Sequence, residues 1–430
     1  MKAIRADLLD FTAEPTWGDT RSAAVRWRPD HWLLVADDGR IAGVQAEVPA
    51  AGIERIDHRG RLLMPGFIDT HVHSPQIGVM ASYGTELLDW LNTYTFPAES
   101  AWADPAVAAA GSAHFLDALL AHGTTAAVVF PTVHKTSADA LFAAASARGM
   151  RIIGGKVLMD RHAPDDLCDD VVQAERDCID LIQRWHGQGR NSYAVTVRFA
   201  PTSTPQQLAM AGALCRADPT LYMQTHVAEN REEVRWVSQL FAAARSYLDV
   251  YAGAGLLHPR SVLAHGIWLD ADDRAALHHS GAQIAFCPSS NLFLGSGLFD
   301  WRATASAGAK VSMASDVGGG TSLSMQRTLA DGYKVQAMAG ERLTAWTALH
   351  AATRGAAHAL HLGHEIGSLE AGQMADLCVW DWAVGAVGKH RQSVARDLHE
   401  QLFAWMTLSD ERHLVGTWVA GEKKYTRSAA

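Results

Sequence analysis

The segment Pro65-Gly66-Phe67-Ile68-Asp69-Thr70-His71-Val72-His73 decides how the whole chain is read. It opens as a β run over 65–70, and two histidines one residue apart follow. Alternate positions of an extended chain point the same way, so both imidazoles project together from the carboxyl end of that strand. An HxH pair alone says little: 21 histidines in 430 residues produce about one by chance, and one is present. Its position gives it weight. Similar apolar runs recur at 124–130, 151–159, 193–199, 221–225, 261–264, 282–286 and 310–315, each followed by a helical, alanine-rich segment. Together they make eight, the count of an α/β fold of the closed (β/α)8 TIM type, whose active sites collect at the carboxyl ends of the strands.

The two chain ends read differently. Trp32-Leu33-Leu34-Val35, the turn Asp37-Asp38-Gly39 and Arg40-Ile41-Ala42-Gly43-Val44 form a hairpin pattern. Strand-like runs return at 375–380 and 417–422. The expected organisation is a small β-sandwich domain built from residues 1–64 plus 370–430, around a barrel over 65–369.

Composition narrows the function. The chain carries 37 Lys+Arg against 46 Asp+Glu, a formal charge of −9, with no basic stripe of the kind that neutralises phosphates, so nucleic acid is not an expected partner. Five cysteines form no CxxC pair and fit a reducing compartment. The N-terminus lacks the apolar core of a signal peptide, and the alanine-rich stretch 106–130 contains His114, Asp117 and His122, which disfavours a membrane span. A cytoplasmic protein without a membrane partner is expected.

Further ligand-type residues occupy strand ends. His226 ends the fifth run, His265 the sixth and Asp316 the eighth. With His71 and His73 they offer neutral and anionic donors suited to a borderline divalent metal such as zinc. Glu229 follows His226 by three residues, and Asn230 with Glu233 resembles a capping box, which leaves Glu229 in the mouth loop as a general acid–base candidate. Arg198 ends the fourth run; a guanidinium cannot bridge two metals, so one metal is expected, and Arg198 is free to meet a substrate carbonyl with Phe199 covering a flat ring. Gln76, just beyond the HxH pair, offers the donor–acceptor complement of a nucleobase edge. Gly318-Gly319-Gly320 lacks the tail of a phosphate loop and reads as a turn. His278, His279, His358, His361 and His364 lie away from strand ends.

Several segments make the chain resemble the amidohydrolase superfamily and, within it, the guanine deaminase branch. They are MPGFIDTHVHSPQ (64–76), LLDWLNTYTFPAE (87–99), HGTTAAVVF (122–130), GKVLMDR (155–161), VRFAPTST (197–204), QTHVAENREEV (224–234), FCPSSNLFLGSGLF (286–299) and SDVGGG (315–320). The resemblance implies one zinc ion per subunit, held by His71, His73, His226 and Asp316, with His265 orienting the hydrolytic water. It implies Glu229 as proton shuttle, and Gln76, Arg198 and Phe199 as contacts to a purine. The implied reaction is hydrolytic deamination of guanine to xanthine and ammonia, in a homodimer. Val197, Ser315 and Gly319 depart from the common pattern without removing a functional group. Two alternatives stand beside this reading: the same chemistry on another amino-substituted ring (8-oxoguanine, cytosine, an aminotriazine), or a non-catalytic assembly protein on the same fold. Retention of the ligand set and Glu229 argues against the second.

Overall fold

The computed structural model describes residues 1–83 and 87–428. Strands β1 (Lys2–Phe11), β2 (Val25–Val35), β3 (Ile41–Gln45) and β4 (Glu54–Pro65) precede the barrel. Its strands are β5 (Phe67–His73), β6 (Thr124–Phe130), β7 (Arg151–Gly154), β8 (Val157–Leu158), β9 (Asn191–Val197), β10 (Tyr222–Val227), β11 (Ser261–His265), β12 (Gln283–Phe286) and β13 (Lys310–Met313). Strands β14 (Leu377–Trp380), β15 (Leu414–Val419) and β16 (Glu422–Thr426) follow.

The barrel strands pair in parallel around the ring from β5 to β13. The expected run 151–159 occupies one barrel position in two pieces, both paired with β9. The break falls at Gly155, where a Cβ would lie 2.0 Å from the Ala194 carbonyl oxygen. Only a residue without a side chain tolerates that approach. The inward-facing residues are mostly small or β-branched: Ile68, Ala126, Val128, Ile153, Ala194, Val262, Ala264, Ala285 and Ala314 pack as one cluster with Ala356, Leu360 and Leu362. The last three come from and just beyond the helix Arg354–Ala359, so the barrel interior is a packed floor and not a pore.

The chain ends meet in one seven-stranded sheet of order β16-β15-β14-β4-β1-β2-β3. The expected hairpin is present, with Trp32 opposite Gln45 and Leu33 opposite Val44. The run 417–422, read as a single strand, turns instead at Ala420 and Gly421, both with positive φ (47° and 76°), and starts β16. Two consecutive left-handed residues suit a tight hairpin turn. The sheet packs on the barrel through Trp380, whose ring lies 5.8 Å from Phe67. Among the described residues no helix is long and apolar enough to cross a membrane.

Arg190, in the turn before β9, ties the barrel to this sheet. Its Nε donates to Glu365 Oε1 (2.9 Å), and its Nη1 and Nη2 donate to both oxygens of Asp376 (3.0 and 2.7 Å), just before β14. The group is largely buried, so removing the cation strands the Asp376 carboxylate away from water, while Glu365 keeps its 2.6 Å pair with Arg151. Arg190→Met is expected to cost about 3–5 kcal/mol of stability, read as a lower midpoint in urea unfolding.

Candidate active site

The carboxyl ends of β5, β9, β10, β11 and β13 supply the functional side chains. His71 and His73 lie on the last residues of β5, with His226 inside β10 and His265 ending β11. Asp316 lies three residues past the end of β13. His265 and Asp316 adopt left-handed backbone (φ 71° and 49°), which an L residue holds only at a cost. For Asp316 the surrounding bonds enforce it: its N–H donates to the His71 carbonyl at 2.9 Å, and the His73 N–H donates to the Val317 carbonyl at 2.8 Å.

The inward atoms of four of these residues crowd one point. His71 Nε2 lies 3.2 Å from His73 Nε2, and His73 Nε2 lies 3.3 Å from His226 Nε2. Asp316 Oδ1 is 3.2 Å from His71 Nε2 and 3.3 Å from His73 Nε2. Burial pushes the histidines down, His73 to about 4 and His226 well below its ordinary value, so the imidazoles are neutral. Burial works against the charge of Asp316 too, but His71 and His73 overcome it and hold its carboxyl well below the usual range. Neutral imidazoles around one carboxylate are the protonation states a metal requires. The spacing fits as well: bonds of about 2.0–2.1 Å directed tetrahedrally place ligand atoms about 3.3–3.4 Å apart.

In two of the rings the outer nitrogen fixes the tautomer. His226 Nδ1 is 2.7 Å from the Arg198 carbonyl oxygen, and His265 Nδ1 is 2.8 Å from Asn291 Oδ1. With those nitrogens donating, each Nε2 turns its lone pair inward. His265 differs from the other three. Its Nε2 is buried without a hydrogen-bond partner, 3.6 Å from Asp316 Oδ2 and 3.5 Å from Glu229 Oε2.

Glu229 sits as expected, ahead of a helix (Arg231–Leu240) capped by Asn230 and Glu233 in a capping box. Ser296 Oγ donates to its Oε1 at 3.1 Å. Burial, reinforced by the negative charge of Asp316, pushes Glu229 up to about 8. Such a carboxyl can both take and give a proton near neutrality.

The opposite wall carries hydrogen-bonding and aromatic side chains. Arg198, Phe199 and Gln76 line the same pocket as Glu229, His265 and Asp316, with Trp90, Leu91 and Leu294 completing its apolar side. Glu99, fully buried, unites two of them: it accepts from Arg198 Nη1 (2.7 and 2.6 Å) and from Gln76 Nε2 (2.9 Å). Gln76 Oε1 accepts from the Gly318 N–H at 3.3 Å, so the triple-glycine segment is a turn that also orients a pocket residue. Gln76 keeps one N–H and one lone pair for a ligand. Phe199 meets Trp236 edge-on at 6.3 Å.

All nine expected site residues therefore converge: eight line the pocket, and His71 meets them through His73 and Asp316. Glu99, Asn291, Ser296, Trp90 and Asp69 were missed as functional positions. All five lie within the quoted motifs, but nothing in their spacing reveals what they touch.

A barrel with buried histidines and one aspartate at its mouth defines a class, and sequence comparison agrees: the chain belongs to the amidohydrolase family, whose profile matches residues 62–424. Within that family it is 41% identical to the guanine deaminase of Escherichia coli, over 100% of this chain and 98% of that one. It is 38% identical to a probable guanine deaminase of Deinococcus radiodurans, over the whole of both chains. Its fold matches the E. coli guanine deaminase structure with a TM-score of 0.96 at 40% identity, covering 100% of each chain. A C. acetobutylicum guanine deaminase with guanine bound in its active site matches with a TM-score of 0.89 at 26% identity, over 99% of this chain and 100% of that one.

A ligand that binds only the native state stabilises it by mass action, about 2.7 kcal/mol at a hundredfold excess over Kd. Chelation is therefore expected to lower the melting temperature of metal-loaded protein, and zinc to restore it. His226→Ala should abolish that difference in a thermal shift assay.

Proposed function

We propose that the protein is a guanine deaminase that hydrolyses guanine to xanthine and ammonia with one zinc ion per subunit. The observation that carries this reading is a single pocket in which a metal-type cluster faces a nucleobase-type wall, Gln76 and Arg198 joined through Glu99. His71, His73, His226 and Asp316 would hold the zinc, which when bound lowers the pKa of water to about 7 and supplies a nucleophile at neutral pH. His265 and the outer oxygen of Asp316, 3.6 Å apart, orient the attacking water toward C2 of the purine. Glu229, next to His265, takes a proton from the water and delivers it to N3. With the water oxygen now bonded to C2, its remaining proton passes through Glu229 to the amino group, the C2–N bond breaks and ammonia leaves as the C2 carbonyl forms. Arg198 and Gln76 hold the polar edges of the ring, and Phe199 lies against its face.

The family resemblance supports a homodimer, and five free cysteines support a cytoplasmic location. The decisive experiment mixes zinc-loaded protein with guanine and follows xanthine by ultraviolet absorbance. Zinc-dependent conversion is expected; none, with zinc confirmed in the protein, overturns guanine as substrate and moves the test to 8-oxoguanine, cytosine and aminotriazines. Glu229→Gln should lose about 10²–10⁴-fold in kcat, the range for a positioned general acid–base, while metal analysis still finds zinc. His71→Ala should lower the zinc content itself.

A further inference from the structure

Trp90 ends the short helix Leu87–Trp90 in the connection between β5 and β6, and it lines the pocket. It is 2% exposed, yet its indole Nε1–H has no hydrogen-bond partner. Two other buried indoles, Trp380 and Trp405, are also unpartnered, but they pack edge to face at 5.5 Å in the core and neither lines the pocket. Trp90 alone of the three borders space that a ligand would fill. A buried donor left unpaired is costly, and indoles in such places ordinarily find an acceptor.

Its neighbours place it on the recognition side. Trp90 packs in one apolar cluster with Leu91, Phe96 and Leu294, and the Arg198 guanidinium lies 5.4 Å over the Phe96 ring. Gln76 and Arg198 are each anchored on Glu99, a few residues further along the same segment. When C2 of guanine faces the imidazole cluster, N1 and N3 flank it and the five-membered ring points the other way. On that edge of 9H-guanine, N9 carries hydrogen and N7 is the ring acceptor.

We propose that the Trp90 indole N–H donates to N7 of the bound purine and is a specificity-determining residue beside Arg198 and Gln76. This rests on the guanine reading above. A pocket built to pair a polar group rejects analogues that lack it far more strongly than an apolar pocket rejects a small change of shape. Arg198 and Gln76 fix the ring, and Trp90 tests for a nitrogen at position 7.

The test compares guanine with 7-deazaguanine, which has C–H in place of N7, as substrate or as competitive inhibitor. The wild-type enzyme should favour guanine by about 10–100-fold. Trp90→Phe should lower kcat/KM for guanine by that factor, mainly through KM, and change 7-deazaguanine by less than about threefold, which also shows that the variant is folded. Equal treatment of the two compounds by the wild type overturns the proposal without any variant. So does an equal loss on both compounds in Trp90→Phe, or no loss on either. A wild type that does not deaminate guanine at all overturns the functional reading itself, a different result from an active enzyme indifferent to position 7.

Discussion

One buried carboxyl group sits at the seam where the barrel closes and the site assembles. Asp69, on β5, accepts from the Ser315 N–H at 3.0 Å, from the Ser315 hydroxyl and from the His71 N–H at 3.3 Å. The two Ser315 bonds join residues 246 positions apart and link the first barrel strand to the segment after the last. β13 ends at Met313, so residues 314–317 leave the regular ladder and are held by side-chain and cross-strand bonds instead. That departure carries Asp316 into the ring of imidazoles. Burial pushes Asp69 up to about 7 even against the three bonds it accepts, and a buried carboxyl with so many donors leaves its neighbours little freedom.

Arg198 couples the two halves of the pocket. Its backbone carbonyl orients His226 in the metal-type cluster, while its guanidinium is clamped by Glu99 on the opposite wall. One residue at the end of β9 thus sets the direction of the His226 Nε2 lone pair and carries a guanidinium fixed on the pocket wall. The cluster itself is buried, with Phe130 packed 4.9–5.0 Å from the rings of His71, His73 and His226. In such low-dielectric surroundings misdirected charges are expensive, so orientation must be built into the protein before anything binds.

Much of this was legible in the chain. The eight runs, the HxH pair and the strand-end positions of His226, His265 and Asp316 follow from periodicity, because alternation and strand length are local properties. The capping box placed Glu229 in the mouth loop, again a local signal, and the helix does begin at Arg231. Boundaries were less faithful. β7 and β8 break where the Ala194 carbonyl approaches Gly155, and the run 417–422 turns at Ala420 and Gly421. Both breaks arise from contacts or turns that hydrophobicity does not encode.

Sequence by itself determined the fold class, the list of metal-type donors and the residue types at the pocket, since each depends on pattern within a few positions. Only the tertiary structure decided how those donors are used. It set His73 Nε2 3.2–3.3 Å from His71, His226 and Asp316 and His71 3.2 Å from Asp316, with His265 at 3.6 Å from Asp316 and 3.5 Å from Glu229. It also brought Glu99 to Gln76 and Arg198, Asn291 to His265, and Ser296 to Glu229. These partners lie 23 to 99 residues apart, and their pairing is fixed by barrel closure and by the folding of the connecting loops over the mouth. A hydrogen bond needs its partner within about 3 Å, and over such separations only the packed fold supplies that distance.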